Sequence, residues 1–66
     1  MNFERFGEKV CECREKIGFS QEDLAFKIGV SREFICQVER AVRKPGLETA
    51  AKIAKALDTS LDYLTK

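Results

Sequence analysis

Apolar residues recur every three or four positions along most of the chain, and this spacing predicts five short α-helices. The first predicted helix covers residues 1–17, with apolar side chains on one face and charged side chains on the other. Two helices fall within residues 21–40, a fourth covers residues 47–57, and a fifth follows Ser60. No segment alternates as a strand does, so the pattern predicts an all-α fold.

The segment of residues 21–40, QEDLAFKIGVSREFICQVER, predicts two helices joined by a very short turn. Gly29 interrupts the first apolar face, because a tight turn needs a residue that tolerates positive φ. Ser31 is a suitable N-cap for the second helix, whose buried face carries Ile35 and Val38. Ala25 is small where the two helices must cross at close range. The segment therefore predicts a closely packed helix pair.

Local signals predict where several of the helices begin and end. Gly18 stands where a helix C-cap requires positive φ. Ser20 followed by Asp23 predicts a capping box at the start of the second helix. Ala41 occupies a turn where a glycine or asparagine is common, so this turn either avoids positive φ or carries strain.

Taken together, Gln21, Ala25, Gly29 and the apolar positions between them resemble the helix-turn-helix of the phage repressor and Cro type, often called the XRE family. The flanking segments FGEKV, GFSQEDLA, ERAVRKP and AKALDTSLDYL resemble that family in the same order, from about residue 6 to residue 64. The resemblance implies a compact five-helix, lambda-repressor-like domain with the motif at helices 2 and 3. We expect residues 1–66 to form this single domain.

The outward face of the second motif helix carries side chains suited to reading DNA bases. Glu33, Cys36 and Gln37 lie roughly opposite the buried face of a helix with about 3.6 residues per turn. The resemblance implies that this face enters the major groove and that Arg32, Glu33, Cys36 and Gln37 contact bases. Gln37 can pair with adenine, Arg32 with guanine and Glu33 with cytosine. The sequence leaves open which base each residue reads.

Contacts to the DNA backbone are expected outside this base-reading set. Gln21 stands at the N-terminus of the first motif helix, where free N–H groups and its own amide can hold a phosphate. Phe34 offers an apolar contact to a deoxyribose, and Arg40, Arg43 and Lys44 follow the second motif helix without an intervening acid. The alternative is that these cations only solvate a loop.

The resemblance also implies a structural ion pair and a dimer. Arg14 and Glu39 correspond to residues that join helix 1 to helix 3 in the family. One domain of this size covers about half an operator, so we expect a homodimer that reads a palindromic site in double-stranded DNA. Leu61, Tyr63 and Leu64 on helix 5 are the expected interface; the alternative is that both leucines complete the monomer core.

Three cysteines and no histidine invite a metal or redox interpretation. Cys11 and Cys13 point to different helix faces, so a metal site is not expected, and no cofactor is implied. We expect Cys13 to be a buried small hydrophobe and Cys11 to be exposed. Cys36 is either a simple groove contact or a redox-sensitive thiol whose oxidation would block DNA entry.

Composition limits the class of function without deciding it. A net charge of +1 argues for no polyanionic partner by itself, and no apolar run is long enough to span a membrane. A cytoplasmic, sequence-specific transcriptional regulator is the expected function, one that blocks or recruits RNA polymerase according to its operator. The competing class is a protein-interaction module of the same fold, such as a toxin-binding antitoxin. No nucleophile and base pair suggests an enzyme.

Overall fold

The computed structural model describes residues 2–66, and these residues form helices without any strand. The predicted all-α architecture is therefore confirmed. Within residues 2–66, none of the helices combines the length and the apolar character needed to cross a lipid bilayer. The helices in chain order are α1 (Phe6–Ile17), α2 (Gln21–Ile28), α3 (Arg32–Glu39), α4 (Leu47–Ala56) and α5 (Leu61–Leu64).

One apolar core holds these helices together, because none is long enough to be stable alone. The motif helices α2 and α3 pack against each other, while α1 covers α3, α4 covers α2, and α5 closes the gap between α1 and α4. The core consists of buried side chains from all five helices and from the residue that ends α4: Phe6, Val10, Leu24, Ala25, Ile35, Val38, Ala50, Ile53, Ala54, Leu57 and Leu64.

The chain enters α1 later than the apolar spacing predicted. The prediction began the helix at Met1, which lies outside the described residues, whereas the helix begins at Phe6. Before it, the side chain of Asn2 accepts a hydrogen bond from the Glu4 N–H at 2.8 Å, which favours a turn. The Phe3 ring still reaches the core and lies 4.9 Å from the Phe6 ring. Phe3 therefore fits the apolar spacing of α1 because its ring packs against the core, although the residue lies in the turn before the helix.

The predicted caps of the motif are confirmed. Gly18 and Gly29 end α1 and α2 with φ values of 90° and 76°. Ser20 Oγ accepts from the Asp23 N–H at 3.0 Å, and the Asp23 carboxylate accepts from the Ser20 N–H at 2.9 Å. Hydrogen bonds from the Ser20 backbone and then its side chain lower the pKa of the Asp23 carboxyl. These caps fix where the motif begins and turns.

Within residues 2–66, two residues other than glycine adopt positive φ, at the ends of α3 and α4. Ala41 has φ 61° and Asp58 has φ 54°. The turn after α3 thus adopts the left-handed conformation instead of avoiding it, closed by the Val42 N–H donating to the Gln37 carbonyl at 3.0 Å. The left-handed conformation costs an L-residue roughly 1–2 kcal/mol, and asparagine and aspartate adopt it more readily than alanine because their side chains can hydrogen-bond locally.

Candidate nucleic-acid interface

Packing at the core determines which side of α3 faces outward. Ser31 caps the helix, its Oγ accepting from the Phe34 N–H at 3.1 Å. Ile35 and Val38, three residues apart, are 0% and 1% exposed. Their burial against the other helices fixes the rotation of α3 about its axis. The opposite face is consequently presented to solvent.

The four residues expected to read bases all lie away from this buried side. Arg32 and Glu33 are exposed at the first turn, while Cys36 and Gln37 are half-buried further along. The face thus offers a guanidinium, a carboxylate, a thiol and an amide within two turns of helix. Their arrangement is the one the sequence suggested; their contacts with bases remain a prediction.

The basic loop, residues 40–46, connects α3 to α4 and carries the expected phosphate contacts. Arg40, Arg43 and Lys44 are exposed, and none of them forms an ion pair within residues 2–66. The guanidinium carbon of Arg43 lies 5.1 Å from the centroid of the Phe34 ring. Phe34 is half-buried against the core and supports Arg43. Its ring is therefore less free for a deoxyribose than the sequence suggested.

Arg14 of α1 and Glu39 of α3 form the ion pair that the resemblance implied. Arg14 Nε donates to Glu39 Oε2 at 2.7 Å, and the two side chains are only 11% and 6% exposed. Arg14 Nη2 also donates to Glu39 Oε1 at 3.3 Å, while Nη1 donates to the Phe19 carbonyl at 2.7 Å. The hydrogen bond to Glu39 raises the pKa of Arg14, so the charge persists at any physiological pH. The pair joins the end of α3 to α1 and to the turn before α2.

Gln21 does not present a free amide in this structure. Its Nε2 donates to Glu39 Oε1 at 3.0 Å, and its Oε1 accepts from Arg32 Nη1 at 3.5 Å. The side chain therefore links the buried ion pair to the first base-reading candidate. The sequence indicates a phosphate contact for Gln21 but gives no sign of this bridging position.

Gly7 also has a structural role that the apolar spacing does not predict. It is buried on α1, and a Cβ built there would lie 2.7 Å from the Glu39 carbonyl oxygen and closer still to that of Val38. The absence of a side chain lets α1 approach the backbone at the end of α3. A glycine inside an amphipathic helix costs about 1 kcal/mol relative to alanine, and that was the available signal.

The expected dimer residues differ in their exposure. Leu64 is 1% exposed and belongs to the monomer core, so its assignment to an interface was wrong. α5 is a single turn, and its last apolar side chain has to complete the core before it can serve a partner. Leu61 is half-buried, and Tyr63 is 41% exposed beside Ile17 at 43%. Tyr63 and Ile17 line one groove between the end of α1 and the turn before α5.

All three cysteines are free thiols of intermediate exposure. Cys13 packs against the core as expected but is not fully buried, and the expectation that Cys11 is exposed was wrong. Cys11 Sγ accepts from Arg14 Nη2 at 3.7 Å. Burial, followed by the charge of Glu39, raises the pKa of the Cys11 thiol, which disfavours the reactive thiolate.

Comparison with known proteins places this geometry among DNA-associated regulators. A family model described as helix-turn-helix matches residues 12–64. Repressor protein C2 of Salmonella phage P22 is 38% identical over 66 residues, spanning 100% of this chain and 31% of the relative. Control protein C.BamHI of Bacillus amyloliquefaciens is 40% identical over 65 residues, spanning 91% of this chain and 80% of the relative.

The chain spans about half the length of some curated relatives. It is 36% identical over 61 residues to the uncharacterized regulator YqaE of Bacillus subtilis, covering 92% of this chain and 53% of YqaE. The similarity therefore concerns the helix-turn-helix region.

Solved structures share this fold over about nine tenths of the chain. The restriction-modification controller protein C.AhdI from Aeromonas hydrophila superposes with a TM-score of 0.86 at 40% identity, covering 91% of both chains. The P22 c2 repressor protein in complex with a synthetic operator superposes with a TM-score of 0.88 at 38% identity, covering 92% of both chains.

Proposed function

Because the chain belongs to the helix-turn-helix family, we propose that it is a sequence-specific, DNA-binding regulator of transcription that acts in the cytoplasm as a homodimer. The observation that carries the proposal is the outward face of α3, where four base-pairing or apolar side chains lie beside unpaired cations of the basic loop. This combination supplies both sequence readout and attachment to the phosphates. Similar proteins are named as repressor and control proteins.

Base readout would use the major groove, whose width admits one α-helix. Arg32 can donate two hydrogen bonds to guanine, Gln37 can pair twice with adenine, and Glu33 can accept from cytosine. Cys36 offers a small, weakly polar contact to a thymine methyl. Glu33 would also repel phosphates wherever it lacks a cytosine partner, so it contributes selectivity against other sequences.

Backbone attachment would use Gln21 and the basic loop. Three exposed cations follow the end of α3, namely Arg40, Arg43 and Lys44. Gln21 lies at the N-terminus of α2. Gln21 would exchange one of its internal hydrogen bonds for a phosphate oxygen. Three cations per copy give six in a dimer, for which counterion release predicts a salt slope of about −5.

Dimensions of the domain support a dimer on a palindromic operator. The Cα atoms of the domain extend over 26 Å along its longest axis. Successive major grooves on one face of DNA lie about 34–36 Å apart. One copy therefore cannot place a reading helix in both grooves, whereas two copies related by a two-fold axis can. Tyr63 and Ile17, which line one groove, supply exposed apolar surface for that contact, and the half-buried Leu61 of α5 would extend it.

The regulatory outcome would follow from the position of the operator. A dimer overlapping a promoter would exclude RNA polymerase, and one beside it could recruit the enzyme. We propose a binding function and no catalysis, because the side chains of the α3 face and the basic loop suit contacts with bases and phosphates.

Selection from a pool of random DNA duplexes at moderate salt tests the proposal. We expect a retained palindrome with half-sites centred about 10 base pairs apart. Retention without an enriched sequence would show charge-driven binding only. Absence of retention at low salt would contradict DNA binding and favour the protein-interaction module.

Substitutions then separate the two kinds of contact. Gln37→Ala should cost about 1–3 kcal/mol at one base position and relax selectivity there. Arg43→Ala should weaken binding to all sequences and reduce the salt slope by about 1 per copy. Lys52→Ala, which removes an exposed cation from α4, is the matched control and should change neither quantity. Equal effects of Gln37→Ala on all sequences would refute the assigned reading face.

A further inference from the structure

The segment before α1 packs against the basic loop. Phe3, Gly7, Val38 and Lys44 line one shallow cavity of about 280 Å³ between them. Lys44 Nζ lies 4.8 Å from the centroid of the Phe3 ring. This distance is within the range of a cation–π interaction, about 6 Å. We propose that Phe3 is a positioning residue that holds Lys44 for the DNA backbone, a role that rests on the proposed function.

The Phe3 ring is itself fixed by the core. Its centroid lies 4.9 Å from that of Phe6, with the ring planes inclined by 34°. Phe6 is 2% exposed, and its N–H donates to the Phe3 carbonyl at 3.2 Å. Because Phe6 cannot move without disturbing the core, the ring beneath Lys44 has a defined position.

The other side of the segment is attached to the end of the chain. The Asn2 N–H donates to the Thr65 carbonyl at 2.8 Å, and Thr65 is 6% exposed just after α5. The side chain of Asn2 accepts from the Glu4 N–H at 2.8 Å, which closes the turn around Phe3. The aromatic ring is therefore supported from both directions along the chain.

Because the Phe3 ring is fixed, Lys44 should lose less side-chain conformational entropy when it binds DNA. A free lysine side chain populates many rotamers and loses that freedom when it contacts a phosphate. The ring restricts the ammonium group beforehand, so less freedom is lost on binding. A cation–π contact uses one side of the ammonium and leaves N–H donors for a phosphate oxygen. Arg43 is supported in the same way, by Phe34 at 5.1 Å.

A double-mutant cycle on DNA affinity tests this role. The probe is the duplex recovered by pool selection, and all measurements are made where circular dichroism shows each variant fully folded. Phe3→Leu should weaken binding about 2- to 5-fold, as expected for an exposed cation–π contact. Lys44→Ala should weaken binding and reduce the salt slope by about 1 per copy. The double variant should bind no more weakly than Lys44→Ala alone.

Two controls separate positioning from a general structural effect. Phe3→Tyr keeps the aromatic face and should restore parental affinity. Phe3→Leu in the Arg43→Ala background should retain its full effect, since Arg43 rests on a different ring. In the free protein, Phe3→Leu should remove the upfield ring-current shift of the Lys44 ε-methylene protons.

Independent, multiplicative effects of Phe3→Leu and Lys44→Ala on DNA affinity would overturn the inference while leaving the proposed function intact. Failure of the parent protein to select any sequence would overturn both.

Discussion

Replacing Gly7 by alanine tests whether the close approach of α1 to α3 is essential. The new Cβ would lie 2.7 Å from the Glu39 carbonyl oxygen, 3.0 Å from its carbonyl carbon, and nearer still to the Val38 oxygen. All three are backbone atoms, so no side-chain rotation can relieve the overlap. α1 would have to move away from α3, loosening the contacts of Val10 with the core.

The expected loss of stability follows from two opposing effects. Overpacking typically costs about 1–3 kcal/mol, and a backbone clash belongs at the upper end. Alanine is about 1 kcal/mol better than glycine in a helix, which offsets part of the cost. The net loss is therefore roughly 1–2 kcal/mol. Since a chain of 66 residues has a free energy of unfolding of roughly 3–10 kcal/mol, the variant should remain folded.

Thermal and urea unfolding followed by circular dichroism measure this loss. For a domain of this size, Tm should fall by about 4–16 °C. Gly46→Ala is the matched control, because Gly46 has φ −68° and a Cβ added there would meet no heavy atom within 4 Å. Gly46 is the N-cap of α4, where alanine is less favourable than glycine, but alanine also restricts the unfolded chain by about 0.4–1 kcal/mol. These two effects oppose each other, so Gly46→Ala should change stability by less than Gly7→Ala. A Gly7→Ala protein as stable as the parent would refute the steric argument.

Substitutions at four further positions, Arg14, Asp23, Ala41 and Asp58, have defined outcomes. Arg14→Leu should cost about 3–5 kcal/mol by leaving Glu39 charged and buried, and replacing both residues by leucine should cost less. Urea titration of the parent and the two variants measures both costs, and a double variant less stable than Arg14→Leu would contradict this reasoning. Asp23→Asn should lower Tm at pH 7, where the carboxylate is ionised. Because folding lowers the pKa of Asp23, this contribution is present above the unfolded pKa and is lost as pH falls through the folded pKa, so the Tm difference should shrink below about pH 4. A difference constant from pH 7 to pH 3 would contradict that cause. Ala41→Gly should stabilise the protein by up to about 1 kcal/mol, since relief of roughly 1–2 kcal/mol of strain outweighs the added freedom of the unfolded chain. Asp58→Gly should stabilise the protein less than Ala41→Gly. Denaturant midpoints measure both gains in stability, and a larger gain for Asp58→Gly would argue against strain at Ala41.

Features set by neighbouring residues could be predicted from the sequence. Gly29 ends α2 with positive φ, Ser31 caps α3, and Ile35 and Val38 select its buried face. Each of these depends on a residue type and a spacing of at most four positions, which helix geometry converts directly into orientation. The outward location of Gln37 follows from the same geometry.

Features that depend on distant segments could not be predicted in this way. The need for glycine at position 7 comes from the carbonyl groups of Val38 and Glu39, more than 30 positions along the chain. Leu64 is buried because of how α5 meets α1 and α4, although its spacing suits an exposed face equally well. The contact between Phe3 and Lys44 joins the first turn to the basic loop. The spacing of apolar residues along the chain predicts none of these contacts, because each joins residues that are far apart in the sequence.

Glu39 shows why the support of α3 and its proposed DNA-facing side cannot be treated separately. Its carboxylate accepts hydrogen bonds from Arg14 and from Gln21. Arg14, on α1, also donates to the carbonyl of Phe19, and the Gln21 side chain accepts from Arg32. One connected set of hydrogen bonds therefore runs from a buried ion pair to an exposed base-reading candidate. If Gln21 turns toward a phosphate, Glu39 keeps its ion pair with Arg14, so its charge stays compensated. Arg32 simultaneously loses its only acceptor within residues 2–66 and becomes free for a base. In the proposed complex, the contact of Gln21 with the DNA backbone and the readout of a base by Arg32 would thus be coupled through a single amide.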